Sequence, residues 1–240
     1  MEFAKTNQIR QLIRDARSKN GEDAQLRELV LRSIPRMHTA IQLPLAGAAA
    51  ALTDFALRYV EHVPDFMDAL AGLSQDAGIY DYAAVFLDTA QQFFLDPPEQ
   101  LGRYQGLERV LAQSYLANRL IEELNDRVVN RCGIPLAPMD MTRANLVMHQ
   151  LLGEPFANDL DFLIHYTTEL HLDKQELMET LAFHRYIKER QRRGWDAELG
   201  RWPCLAEGLS INFAFRAEAG PSMDEMLNPI VEGEIPEGLH

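Results

Sequence analysis

The sequence predicts an all-α fold, a multi-helix bundle of about eight or nine helices with an irregular C-terminal arm. Apolar residues recur three and four positions apart over most of residues 1–194, which is the pattern of amphipathic helices. The loops between these helices are short, which favours antiparallel helix neighbours. Residues 195–240, in contrast, hold glycine and proline at short intervals and no sustained apolar stripe. We therefore expect one helical domain over residues 1–194, and an irregular arm with an acidic tail over residues 195–240.

Nine stretches carry the helical period. They cover residues 4–19, 22–33, 45–62, 64–73, 79–94, 105–131, 141–152, 156–171 and 174–193. Gly21 suits a left-handed cap after the first helix, and Pro35 stops the second. Pro97 and Pro98 end the fifth helix, and Asp173 is placed to cap the last one.

The stretch 105–131 is the longest, and its helical wheel carries two separate strips that contain apolar residues. The main apolar strip consists of Leu116, Ala117, Leu120, Ile121, Leu124 and Val128. The second strip is apolar at both ends but polar in the middle, where it carries Asn118, Glu122 and Asn125. A helix buried on two sides would enclose these polar groups, which would then need hydrogen-bond partners.

Two interpretations of this polar strip are open. In one, Glu122 is a metal ligand or general base, and Asn118 and Asn125 orient it. In the other, the three side chains are half-exposed or form an inert hydrogen-bonded layer that fixes helix register. His184 lies within the apolar stripe of the ninth helix, so we expect it to be buried or at an interface, either as a packed ring or as a fourth member of the same pocket.

Asp161, His165 and Glu169 form a second candidate set, because their spacing of four places all three on one helix face. Carboxylate and imidazole groups spaced in this way suit metal ligation. The three lie opposite the apolar side of their helix, however, so a solvated face is the alternative. Neither set strongly implies a cofactor.

The net charge of the protein limits which kinds of partner it can bind. Lysine and arginine number 23 against 36 aspartates and glutamates, a formal net charge of −13. Such a surface repels the phosphates of nucleic acids and anionic lipids, so neither partner is expected. The least polar stretch, Thr39 to Thr53, is too short to span a bilayer, and residues 1–20 lack the apolar segment of a secretory signal. We expect a soluble cytoplasmic protein.

Cys132 and Cys204 lie far apart and form no CxxC motif. Two free thiols in a reducing compartment fit this pattern, and one long-range disulfide is the alternative. Within the arm, Ile211, Phe213 and Phe215 alternate with other residues, which predicts one extended strand. That strand would pack on the helices of its own chain or pair with a second subunit.

Sequence motifs do not determine the function. The chain has no P-loop, dinucleotide fingerprint, HExxH or GxSxG motif, and its predicted helical domain, residues 1–194, has no ExxH motif. One hypothesis is a helical module that acts through a protein partner or by self-association into a homo-oligomer, with Trp195 and Trp202 of the arm covering a surface. The alternative is an enzyme or small-molecule binder whose pocket, with or without a divalent metal, lies between helices and is lined by the polar strip and His184.

Overall fold

The computed structural model describes residues 2–18, 22–138, 141–169, 175–194, 205 and 209–213, and these residues confirm the all-α class. They contain nine α-helices and two strands of two residues each. The helices are α1 (Glu2–Ser18), α2 (Glu22–Ser33), α3 (Ala48–Glu61), α4 (Val63–Asp76), α5 (Tyr80–Leu95), α6 (Gly106–Cys132), α7 (Met141–Leu152), α8 (Glu154–Glu169) and α9 (Leu181–Arg193). The strands are β1 (Ile41–Gln42) and β2 (Asn212–Phe213), and single 3-10 turns occur at Ile34–Arg36 and Glu99–Leu101, with a longer one at Gln175–Glu179.

Helix α6 is the centre of the bundle. Its 27 residues extend for about 40 Å, and it packs against α1 to α5, α7 and α8. Sixteen of those residues are buried, so the helix is covered on more than one side, as its two strips predict. It ends at Gly133, whose φ of 75° is left-handed and whose N–H donates to the Val129 carbonyl at 2.8 Å. Any polar side chain on its buried faces therefore depends on protein partners.

The core forms where α6 meets its neighbours. Leu120, Leu124 and Val128 have no exposed surface, which confirms the main strip of the helical wheel. Aromatic residues fill the space around them, and Phe55 and Phe86 are among the largest fully buried side chains. Within the described residues, no helix is both long and apolar enough to cross a membrane.

Helix α9 begins later than predicted, and this displaces its buried face. A 3-10 turn precedes it, and the Thr180 hydroxyl caps it by accepting a hydrogen bond from the N–H of Phe183 at 3.3 Å. Phe183 and Ile187 are the buried positions, one helical turn apart. The expectation that His184 is buried is therefore wrong: His184 is exposed, because the apolar stripe does not run unbroken through the 3-10 turn.

Part of the predicted arm packs on the helical domain of its own chain. Strand β2 pairs antiparallel with β1, with Phe213 opposite Ile41 and Asn212 opposite Gln42. The guanidinium of Arg143 lies 5.8 Å from the centre of the Phe213 ring. Apart from residues 205 and 209–213, the predicted arm and tail lie outside the described residues, and so do its remaining aromatic side chains.

The capping residue and the second cysteine of the sequence predictions also lie outside the described residues; they are Asp173 and Cys204. Cys132, at the end of α6, carries a free thiol that is partly buried. Burial raises the pKa of that thiol, which disfavours the reactive thiolate. Cys132 is thus unpaired in the structure, whereas the state of Cys204 stays a prediction.

Candidate functional site

A cavity of about 500 Å³ that opens to solvent is lined by side chains of α6, α7 and α8 and of the segments around β1 and β2. Its walls are formed by His38, Ala40, Ile41, Tyr115, Arg119, Glu122, Thr142, Asn145, Leu146, His149, Gln150, Asp161 and Phe213. We call the part formed by residues 38–41 and Phe213 the rim. The polar side chains of the three helices form the rest of the lining, together with Leu146.

Helical spacing explains why these side chains converge. Tyr115, Arg119 and Glu122 follow one another at intervals of four and three residues, so they share one face of α6. Thr142, Asn145 and His149 are likewise three and four residues apart and share one face of α7. Asp161 is the lining residue from α8. Because α6, α7 and α8 pack against each other, the three polar faces meet at the cavity.

Glu122 is buried at 6% exposure, and three donors hold its carboxylate. Thr142 donates from Oγ1 to Oε1 at 2.7 Å, Asn145 donates from Nδ2 to Oε2 at 2.6 Å, and the Arg119 guanidinium pairs with the same Oε2. Asn145 in turn accepts a hydrogen bond on Oδ1 from the Tyr59 hydroxyl at 2.6 Å. Burial raises the pKa of Tyr59 well above its ordinary value, so this phenol remains a donor.

Asp161 receives hydrogen bonds from both other helices of the site. The Tyr115 hydroxyl and Arg119 Nε donate to its Oδ1 at 2.7 and 3.1 Å, and Nε2 of His149 lies 3.4 Å from its Oδ2. Burial alone would raise the pKa of Asp161, but the hydrogen bonds of His149, Tyr115 and Arg119 outweigh it and lower that pKa. Burial, followed by this hydrogen bond, raises the pKa of Tyr115. Asp161 is thus anionic and Tyr115 neutral at physiological pH.

Arg119 lies between the two carboxylates and joins them. Its Nε binds Asp161, its Nη1 binds Glu122, and its Nη2 has no hydrogen-bond partner among the described residues. Burial alone would lower the pKa of the guanidinium, but the charges of Glu122 and Asp161 raise it further above its ordinary value. Arg119 is therefore a permanent cation whose charge is already matched twice.

His149 is the titratable group of the site that can change charge near neutral pH. Its Nε2 lies 3.1 Å from Oδ1 of Asn158 as well as close to Asp161. The hydrogen bond with Asp161 raises the pKa of His149, although burial opposes the shift. An imidazole held by a carboxylate can accept or release a proton, which is the chemistry of a general acid or base.

The rim is joined to α7 through His38. Its backbone N–H donates to Oε1 of Gln150 at 3.1 Å, and its Nδ1 accepts from the N–H of Ala40, also at 3.1 Å. In the neutral imidazole the proton therefore resides on Nε2. The rim thus offers one further donor beside the apolar side chains of Ile41 and Phe213.

Of the four predicted pocket residues, only Glu122 lines the cavity. Asn118 is fully buried beside Tyr59, but its amide nitrogen and oxygen complete no hydrogen bond of normal geometry within the described residues. Asn125 instead accepts from the backbone N–H of Ala137 at 2.9 Å and so holds the segment that follows α6. His184 is exposed on α9 and is absent from the lining.

The second predicted set, Asp161, His165 and Glu169, is not assembled into a centre. His165 and Glu169 are exposed on α8, as a solvated face predicts, whereas Asp161 turns towards α6 and joins the cavity. In the part of the chain that the structure describes, no three histidine, cysteine, aspartate or glutamate side chains are grouped so that they could hold a metal ion. Asp161 therefore acts with Tyr115, Arg119 and His149 rather than with its neighbours on α8.

Sequence reasoning missed most of the lining. The residues it passed over are Tyr115, Arg119, Thr142, Asn145 and His149. A signal was available, because Tyr115, Arg119 and Glu122 fall within about 60° of each other on a helical wheel.

Comparison with known proteins adds no assignment. No protein-family model matches the chain, and neither a curated protein nor a solved structure matches it. The function is therefore argued from the geometry of the cavity alone.

Proposed function

We propose that this protein binds a small organic molecule in the cavity between α6, α7 and α8. The observation that carries this proposal is the convergence of eight polar side chains from three helices on one cavity of about 500 Å³; they are Tyr115, Arg119, Glu122, Thr142, Asn145, His149, Gln150 and Asp161. Pockets for small ligands have volumes of about 300–1,000 Å³ and combine apolar walls with a few fixed polar groups.

The internal order of the site supports binding over a purely structural role. Buried ion pairs contribute less to stability than well-packed apolar side chains of the same volume, so stability gives little reason for this network. Its members are held by one another before any ligand arrives, and such preorganisation lowers the entropy lost on binding. If the bound molecule is also transformed, His149 is the group placed to move a proton.

A thermal-shift panel tests the proposal. Protein is screened against amines, carboxylates, alcohols, sugars, nucleosides and phosphate esters, because a ligand of the native state raises the melting temperature. Leu146 lines the cavity and is 41% exposed, so Leu146→Trp narrows the cavity without disturbing the polar network. Leu31, on α2, is 50% exposed and lies outside the lining, so Leu31→Trp is the matched control.

We expect at least one class of compound to stabilise the wild type and the Leu31→Trp variant but not the Leu146→Trp variant. Native mass spectrometry of the gently purified protein provides a second readout, since a retained molecule adds its mass. The proposal fails if no class shifts the melting temperature and no added mass is found. It also fails if Leu146→Trp leaves every shift intact.

Self-association is a second candidate function, and one surface favours it. Phe162 and Tyr166, one turn apart on α8, are 72% and 58% exposed, which is unusual for two neighbouring aromatic residues. Light scattering measures the mass in solution for the wild type and for the double variant Phe162→Ser/Tyr166→Ser. A dimer that dissociates on this change supports self-association through α8, and a monomeric wild type excludes it.

A further inference from the structure

We infer that the ligand of this cavity is a small organic cation, a primary or secondary ammonium group attached to an apolar body. This inference deepens the proposed function and rests on it. It is carried by the formal charges of the lining, the unused acceptor positions of its two carboxylates and the apolar side chains around them.

Negative charge is in excess in the lining. Glu122 and Asp161 are carboxylates, and Arg119 is the cation that pairs with both of them. With both lining histidines neutral, the charge of the lining is one positive against two negative, a net of −1. An anion entering the cavity would lie close to two carboxylates and face an arginine whose charge is already matched, and like charges brought together oppose binding.

Each carboxylate also has one oxygen with spare acceptor capacity, because a carboxylate oxygen accepts about two hydrogen bonds. In Glu122, Oε2 receives Arg119 and Asn145, whereas Oε1 receives Thr142 alone. In Asp161, too, one oxygen accepts more hydrogen bonds than the other. Its Oδ1 accepts from two donors, whereas its Oδ2 has only His149 nearby, at the long distance of 3.4 Å.

An ammonium group matches these two oxygens. A primary ammonium carries three donors, a secondary one carries two, and neither has an acceptor. Either can therefore bond to Oε1 of Glu122 or to Oδ2 of Asp161 without competing for the donors that already hold the site. A carboxylate ligand would have to rely on Arg119 Nη2 and on donors of the rim. The body of the ligand would rest against Ile41, Leu146 and Phe213, which give the cavity its apolar surface.

His149 makes such binding depend on pH. The groups that face it are Asp161, Asn158 and Glu154 on α8 and the ring of Tyr115 on α6. When His149 is protonated it adds a positive charge to the cavity and occupies Oδ2 of Asp161 more strongly. A cationic ligand should therefore bind more weakly as the pH falls through the titration of His149.

Isothermal titration with three compounds of one shape tests the inference, namely phenethylamine, 2-phenylethanol and 3-phenylpropionate. The titrations are made at about pH 8.5, where less of His149 is protonated than at neutral pH. Alkyl and indolyl members of each class extend the series. We expect the amine to bind at least about ten-fold more tightly than the carboxylate, with the alcohol between them. The Glu122→Gln and Asp161→Asn variants should each reduce the preference for the amine by about ten-fold, whereas Glu123→Gln should leave it unchanged.

The ratio of amine to carboxylate affinity is the decisive quantity, since a variant that merely loosens the fold weakens both compounds together. Equal binding of the three, or tighter binding of the carboxylate, overturns the cation assignment and leaves small-molecule binding intact. Binding of a neutral or anionic class of the wider panel, with no amine bound, does the same. If no compound of any class binds and Leu146→Trp changes nothing, the proposed function falls as well.

Discussion

Asn145 donates a 2.6 Å hydrogen bond from Nδ2 to Oε2 of Glu122, and this contact joins α7 to the buried face of α6. The Tyr59 hydroxyl binds the other end of the same amide, so the orientation of Asn145 is determined by both partners. Glu122 accepts the hydrogen bonds of this network on both of its carboxylate oxygens, so the network requires that neither oxygen is replaced.

Replacement of Glu122 by glutamine should destabilise the protein. The amide would present an N–H₂ group to donors that now share the carboxylate, and Arg119 would lose one of its two counter-charges. We expect the free energy of unfolding, measured by urea denaturation, to fall by about 1–3 kcal/mol. Glu123→Gln is the matched control, because Glu123 forms a partly exposed i,i+4 pair with Arg127 at 2.8 Å, and such pairs on one helix contribute less than about 1 kcal/mol. Similar losses in both variants would contradict this account of Glu122.

Replacement of Asn118 by leucine should stabilise the protein. Asn118 is fully buried, and its amide nitrogen and oxygen complete no hydrogen bond of normal geometry within the described residues. Leucine has a similar shape and removes the cost of an unsatisfied polar group, so the free energy of unfolding should rise by about 1 kcal/mol. A loss of stability in the same measurement would show that the amide is bound in solution, for example by an internal water.

The pair of His149 and Asp161 should make stability depend on pH in a defined direction. The folded-state pKa of His149 is raised, chiefly by its hydrogen bond with Asp161, so its contribution is fully present below the ordinary pKa of about 6.5. That contribution disappears as the pH rises through the folded-state pKa. The pKa of Asp161 is lowered, so its own contribution is present above its ordinary value and disappears at acid pH.

We therefore expect His149→Gln to lower stability more at pH 5.5 than at pH 9, with urea denaturation at each pH as the measurement. Nuclear magnetic resonance titration of the imidazole should place the pKa of His149 above the ordinary histidine value of about 6.5. In the Asp161→Asn variant this difference should shrink. If the pKa of His149 is the same in the Asp161→Asn variant, the 3.4 Å contact between His149 and Asp161 does not stabilise the charged imidazole.

Replacement of Phe213 by alanine should loosen the rim. The β1–β2 ladder is only two residues long, and Phe213 lies opposite Ile41 within it, so little else from β2 holds this part of the chain. Hydrogen exchange measured by mass spectrometry should become faster in the peptide that covers residues 38–42. Phe162→Ala, on the exposed face of α8, is the control and should leave that peptide unchanged. Unchanged exchange in the Phe213 variant would show that the bonds of His38 to Ile41 and Gln150 are sufficient.

The fold was predictable because its signal is local. Leu120, Leu124 and Val128 form the fully buried strip that the wheel of α6 predicts, and Glu122 and Asn125 on its second strip are buried rather than half-exposed. The error at His184 has the same local origin. A stripe read continuously through residues 177–187 assumes one helix, whereas a 3-10 turn ends just before α9 and changes which side chains face inward.

The site was only partly predictable because its pairs are distant in sequence. Asp161 was placed with His165 and Glu169 by their spacing along α8, but its partners Tyr115 and Arg119 come from α6. Spacing reports which residues share a helix face, and it does not report which other helix lies opposite that face.

The sequence by itself therefore determined the helical class, the approximate extents of most helices and the burial of α6 on two sides, since each follows from the period of apolar residues along the chain. Only the tertiary structure decided that Arg119 joins Glu122 to Asp161 and that His149 rests against Asp161. Those contacts exist because α6, α7 and α8 pack side by side, and that arrangement depends on the whole core rather than on any one segment.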